Sequence, residues 1–375
     1  MSDADVSVWM QKVRDGWDET LKGMLIALAP KVDRVNFIAY QGEEYDDMHP
    51  LSFLCQAIRS ISTTPEPSWP PGFRSLRHVS ICTSTTMRHP HDAYYASPSA
   101  VAPLFFLPNI KVLNLTLLGY HDDEDEDYSL PAGCSSVEEL AFSCCNLSHT
   151  AMGKLIKACK RLRGVKSMAS CSDKGNLTGM LYEEYGHCLE DVFLYGAYET
   201  VNLQGLRNFR RLKSLNGINV STLLSNGDES TNARGAGETA HQPSNAGSAH
   251  VIDLRDLLPP SIESIALIVN RKTDHHVHRE LLRTVADLVE DERFAQLKEV
   301  CMWSVAVSYG TTKERTFDWD PDALERIKAK GVDLHCIGNN GGVMKFEEHA
   351  HLHPNPNDGL TEVETDPRHA ENQRV

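Results

Sequence analysis

The feature that most constrains this chain is a short phrase, apolar-x-x-apolar-x-apolar, that returns nine times in series. It reads Val32-x-x-Val35-x-Phe37, Leu76-x-x-Val79-x-Ile81, Ile110-x-x-Leu113-x-Leu115, Val137-x-x-Leu140-x-Phe142, Leu162-x-x-Val165-x-Ser167, Leu189-x-x-Val192-x-Leu194, Leu212-x-x-Leu215-x-Gly217, Ile262-x-x-Ile265-x-Leu267 and Leu297-x-x-Val300-x-Met302. The last two positions of each phrase lie two residues apart. In a strand they share one side, and the residues between them point the other way. Helical spacing fills several intervals. Behind Ser148, a helix-capping residue type, Met152, Leu155, Ile156 and Cys159 recur at three and four. Leu281, Leu282, Val285, Leu288 and Val289 mark a helix within 278–293. Asp320-Pro321 opens another, with Leu324, Ile327 and Ala323 on its apolar face and Gly331 as a left-handed stop. A final strand is expected over Val332–Ile337.

A strand-plus-helix unit cannot bury its apolar face alone, so a series of them requires stacked neighbours. The expected fold is an α/β solenoid, an irregular horseshoe with a parallel concave sheet and outer helices. The phrases are spaced from about 23 to 50 residues apart. The expected division is 1–224 and 251–346 as the N- and C-terminal parts of the solenoid. Between them lies a disordered insertion at 225–250, and a disordered tail covers 347–375. The insertion, SNGDESTNARGAGETAHQPSNAGSAH, has no aliphatic side chain larger than Ala and cannot offset its ordering entropy. The acidic run HDDEDED at 121–127 reads as a solvated loop. Residues 6–28 read as a helix with Trp9, Val13, Trp17, Leu21 and Leu25 on one face.

Composition narrows the function. Net charge is −15, from 52 acidic and 37 basic residues. That opposes sequence-independent nucleic-acid binding and anionic membrane surfaces, both of which need cations. No apolar run is long enough to span a bilayer, and the polar start MSDADVSVWMQKVRDG is no signal peptide. The ten cysteines are therefore expected to be reduced, packed as small hydrophobes, in a cytoplasmic and/or nuclear protein. The sequons at Asn114, Asn146, Asn176 and Asn219 read as accidental. Phosphate-loop, dinucleotide, nucleophile-elbow and zincin signatures do not occur, and Gly338-Asn339-Asn340-Gly341-Gly342 reads as a turn. No C-x-x-C pair is present, and His275, His276 and His278, like His349, His351 and His353, read as polar linker histidines. No enzyme activity, cofactor or metal is expected.

Cys134-x-x-Val137-x-x-Leu140-x-Phe142-x-x-Cys145-x-Leu147-Ser148, followed by Leu155, Cys159 and Leu162, resembles the cysteine-containing subtype of leucine-rich repeat. Cys159 to Cys188 looks like a second, poorer copy. The phrases LPNIKVLNL, FRSLRHVSI, FAQLKEVCMW and LERIKAKGVDLH look like the irregular F-box/leucine-rich-repeat proteins of filamentous fungi. The resemblance covers roughly residues 20–340 and is specific over about 55 of them. It implies a substrate-recognition domain related to the F-box receptors of cullin-based (SCF) ubiquitin ligases. The family's F-box, opening with an L-P-x-E-like phrase, is not found ahead of the repeats. A stand-alone interaction module, or a truncated F-box protein without a ligase role, is thus the alternative. The partner would be a protein, with the ligase adaptor added only if an F-box lies upstream. On a concave sheet such a partner would meet Arg34, Asn36, Asn114, Thr116, Glu139, Asp191, Phe193, Tyr195 and Trp303. Phe193, Tyr195 and Trp303 are the expected anchors, since exposed aromatics on a rigid surface dominate binding energy.

Overall fold

In a computed structural model of the chain, the described residues are 18–40, 52–84, 97–116, 118–119, 129–143, 145–168, 177–195, 203–225, 250–270, 275–305, 320–337 and 343–345, with Gln11 and Arg14. The acidic run, the tail, the 338–342 turn, Asn176 and Cys144 lie outside them, as do Trp9, Val13 and Trp17. The chain is an α/β protein whose repeat strands pair in parallel. It divides into a first unit, residues 1–218 with 253–265, and a second, 219–252 with 266–375.

The first unit carries seven strands among the described residues. They are β1 (Arg34–Tyr40), β2 (His78–Ser84), β3 (Val112–Thr116), β4 (Glu139–Ser143), β5 (Gly164–Met168), β6 (Asp191–Tyr195) and β7 (Ser214–Asn219). Each forms on one of the apolar phrases, and they pair in chain order, all parallel. The register stacks equivalent phrase positions. Val79, Leu113, Leu140, Val165, Val192 and Leu215 make one buried row, and Ile81, Leu115, Phe142, Ser167 and Leu194 the next. Burying a large apolar side chain contributes about 1.5–3 kcal/mol. Ser167 adds little of this, as its weak phrase foretold. At the sheet's first strand Val35 and Phe37 are only half-buried.

A second regularity sits one residue ahead of these strands. Each start is tied to the previous one by two backbone N–H groups converging on a single carbonyl. Lys111 and Val112 donate to Arg77, Glu138 and Glu139 to Lys111, and Arg163 and Gly164 to Glu138, at 2.7–3.0 Å. Glu190 and Asp191 likewise hook onto Arg163, and Lys213 and Ser214 onto Glu190. The hooking residues form a charge ladder. Lys111 Nζ lies 2.6 Å from Glu138, and Arg163 3.0 Å from Glu190. Glu190 also takes Lys213 and Arg211 at 3.2 Å, and its side chain is only 5% exposed. Hydrogen bonds from Arg163 and then Lys213 outweigh that burial and hold its carboxyl down at about 2.

Helices complete the unit. These are α1 (Asp18–Leu28), α2 (Ser52–Ser62), α3 (Pro71–Ser75), α4 (Pro98–Val101), α5 (His149–Lys157), α6 (Leu177–Tyr185) and α7 (Leu254–Leu257). Ser148 caps α5 as expected, its Oγ accepting from Ala151 N at 3.0 Å. Met152, Leu155, Ile156 and Cys159 are buried on the expected face. The Tyr185 hydroxyl ties α6 to the end of α5, lying 2.8 Å from the Ile156 carbonyl and 2.6 Å from that of Cys159. Helix α1 forms over the described part of the helix expected at 6–28, where Leu21 and Leu25 are 47% and 68% exposed, with Met24 and Leu28 beside them. The helix packs through Gly23 instead, whose missing Cβ leaves room for the Phe53 ring.

In the second unit, β10 (Ser264–Asn270) enters from residue 266, and β11 (Glu299–Val305), β12 (Asp333–Ile337) and β13 (Val343–Lys345) follow in order. β11 and β12 are parallel. β13 pairs antiparallel with β12, a strand that the sequence reading did not contain. β8 (Leu224–Ser225) and β9 (His250–Val251) also pair antiparallel, so Ser225 and His250, read as ends of the insertion, are strand residues. Residues 226–249 lie outside the described set. Helix α8 (His275–Glu290) begins three residues earlier than expected. The reading of 275–278 as linker is therefore corrected: His278 shares a face with Leu281, Leu282 and Val285 and is buried with them. Asp291 ends the pattern by capping the next turn. Asp320 and Pro321 start α9 (Pro321–Ala329), and Gly331 follows at φ 72°. Ala323 and Ile327 are buried while Leu324 is only half-buried, so the face is narrower than expected. Arg326 joins α9 to α8 through Asp287 and Glu290. Among the described residues, no helix is long and apolar enough to cross a membrane.

Candidate binding groove on the open face of the sheet

The residues between the buried rows form two rows on the opposite face of the first unit. The pairing register aligns Arg34, His78, Val112, Glu139, Gly164, Asp191 and Ser214 in one. It aligns Asn36, Ser80, Asn114, Ala141, Lys166, Phe193 and Asn216 in the other. A cavity of about 320 Å3 opens over the middle strands, lined by Asn114, Glu139, Lys166, Asp191, Phe193 and Asn216, with Gly164 at its centre. Glycine creates the depression. A Cβ there would approach Glu139 Cγ at 3.3 Å and Asp191 Cβ at 3.9 Å. Glu139 and Asp191 stand on the strands either side of the notch, their backbones two strands and so about 10 Å apart. Lys166 follows Gly164 on the same face, between Ala141 and the half-buried Phe193.

Electrostatics distinguish the two flanks. Desolvation, then the negative charges of Glu190 and Glu139, push the Asp191 carboxyl above the usual carboxylate range, against Lys213 and Lys166. Toward β2, desolvation and then Arg34 lower the His78 imidazole. Asn114 Nδ2 lies 3.2 Å from His78 Nε2, a contact in which the amide donates to the neutral ring. Asn216 Nδ2 donates to Ser214 Oγ at 2.7 Å on the other flank. The groove thus offers amide and hydroxyl groups for a backbone, carboxylates for a cation, and one aromatic surface.

Of the residues expected on this face, Asn114, Glu139, Asp191 and Phe193 come together in the groove. Thr116 lies at the end of β3, half-buried. Arg34 and Asn36 are exposed on β1, three strands from Glu139 and so about 14 Å away. Tyr195 pairs with Met168 along β6, and Trp303 with Ile337 in the second unit. Their side chains lie outside the described residues. Gly164, Lys166, Ser214 and Asn216 were missed, although they occupy the same phrase positions in the copies at 162–167 and 212–217. The cysteines of the best-matching phrase are structural in their contacts. Cys145 Sγ lies 3.5 Å from the Leu115 carbonyl, Cys159 Sγ 3.7 Å from Leu155, and Cys188 Sγ 3.3 Å from Leu162. Six described cysteines carry free thiols, five of them buried. No protein-family model matches the chain, and no curated protein is detectably similar to it in sequence.

Proposed function

We propose that this chain is a non-enzymatic protein-interaction scaffold of the leucine-rich-repeat type, akin to the substrate-recognition part of F-box receptors. The partner is a polypeptide seated on the open sheet face of the first unit. The observation that carries this reading is the groove around Gly164: two aligned rows on seven rigid strands, with polar groups flanking a half-buried aromatic. Such a surface suits an extended segment, whose backbone meets the asparagines and whose side chains meet Glu139, Asp191 and Phe193. The alternative reading is a stand-alone interaction module with no ligase role.

Partner capture by the full chain tests the surface. Phe193→Ala removes the anchor and Gly164→Trp fills the notch from the open side. Each is expected to weaken capture by about tenfold or more, as loss of a hot-spot contact does, with unchanged far-UV circular dichroism and melting. Folded variants that retain full binding overturn the assignment of the face. Co-purification with the cullin adaptor then separates the two readings.

A further inference from the structure

The charge ladder has a second consequence on its outer side. A cavity of about 490 Å3 opens beside the strand starts of the first unit, lined by Lys111, Glu138, Lys160, Arg161, His187 and Arg211, with Ser136 and Cys188 contributing. Its cations come from consecutive turns pinned to one another by backbone hydrogen bonds. Lys160 N donates to Ser135 O at 2.8 Å, and Arg210 N to Gly186 O at 2.9 Å. Two of the four cations already lie against carboxylates, Lys111 beside Glu138 at 2.6 Å and Arg211 beside Glu190 at 3.2 Å. Lys160 and Arg161 have no carboxylate partner among the described residues, and both are exposed. The positive charges of Arg161 and Arg211 both act on the Cys188 thiol, which places both guanidinium groups near this wall of the cavity.

We propose that this cavity is an oxyanion site that takes a phosphate-type dianion, free or as a phosphoryl group on a polypeptide side chain. Charge sets the class of ligand. A chain with net charge −15 repels anions in general, yet here two uncompensated cations face one concave space. A phosphoryl group carries about −1.5 to −2 charges near pH 7, which matches them. Arg161 supplies the planar fork that meets two oxygens at once, and Lys160 a mobile point charge. Ser136 Oγ already donates to the Ile110 carbonyl at 2.8 Å, so its proton is committed and the cations do the recognising. This site lies on the strand starts, apart from the Gly164 groove, and stands whether or not a partner binds there.

The test titrates the full chain by calorimetry at low salt with inorganic phosphate. Parallel titrations use a short glycine–serine peptide bearing one phosphoserine and its unphosphorylated twin. Phosphate and phosphopeptide are expected to bind and the twin not, with affinity falling as salt rises. The double variant Lys160→Gln/Arg161→Gln is expected to weaken both by about tenfold or more, since each loses a charge-assisted contact. Melting of the variant should match wild type, because both side chains are exposed. A phosphopeptide that binds more tightly than phosphate identifies a modified partner as the source; equal affinities identify the free ion. Absence of binding by both, or binding unchanged in the folded double variant, overturns the site.

Discussion

Glu190→Gln tests the charge ladder, because one buried carboxylate there serves three cations. Its pKa falls from an ordinary 4.5 to about 2. At 1.36 kcal/mol per pKa unit, that difference corresponds to about 3 kcal/mol favouring the ionised folded state. The partners Arg163, Arg211 and Lys213 are about half exposed, so solvent screening reduces the expected effect to ~2 kcal/mol. Glutamine keeps the shape but leaves the three cations facing a neutral group. The folded pKa is depressed, so the stabilisation is fully present above about 4.5, the unfolded value, and is lost as pH falls from there through about 2. Urea denaturation followed by circular dichroism, from pH 7 down to pH 2, should show wild type more stable than Glu190→Gln by ~2 kcal/mol at neutrality. The two curves should converge in acid. Equal stability at pH 7, or a gap that persists at pH 2, refutes the ladder as a source of stability.

Two further outcomes follow from close contacts and burial. Gly217 sits at φ 93°, and a Cβ there would lie 1.8 Å from the Leu194 carbonyl oxygen; Gly217→Ala should lower stability by about 3 kcal/mol or more, and a melting midpoint within error of wild type would contradict the geometry. Burial pushes the Cys55 and Cys159 thiols up to about 12, so alkylation at pH 8 followed by peptide mass spectrometry should find both protected in the native chain and labelled in denaturant. Native-state labelling at the rate of a free thiol would show that neither is packed as described.

The apolar phrases placed every strand of the first unit, because a two-residue period with fixed flanks leaves the backbone few alternatives. Gly217 stands at the last position of its phrase for a conformational reason: at φ 93° the backbone leaves the ordinary strand region, and the site excludes a side chain. The alternating charges at Lys111, Glu138, Arg163, Glu190 and Lys213 are plain in the sequence, yet they mean nothing until the register brings residues 23 to 27 apart into contact. The same holds for the groove, where Gly164 carries no side chain to attract notice. Helix α1 is a different case. Its leucines have core spacing, but close approach at Gly23 decides which side faces inward. β13 escaped notice because three residues after a glycine-rich stretch carry too little pattern to read.

The two-pronged backbone hooks ahead of each strand also bear on how such a chain lengthens over evolution. A hook uses amide and carbonyl groups that every non-proline residue has, and it sets the pairing register at one point. What lies between two hooks is then free to vary, from 23 residues between Glu190 and Lys213 to 50 between Lys213 and Glu263, which hooks onto Lys213 with Ser264. Closing a loop of doubled length costs only about 0.6 kcal/mol more. Insertions and deletions between hooks are therefore nearly neutral, while a single residue gained or lost inside the phrase turns its apolar side chains to the wrong face. Selection on this architecture falls on six-residue words, and the text between them drifts.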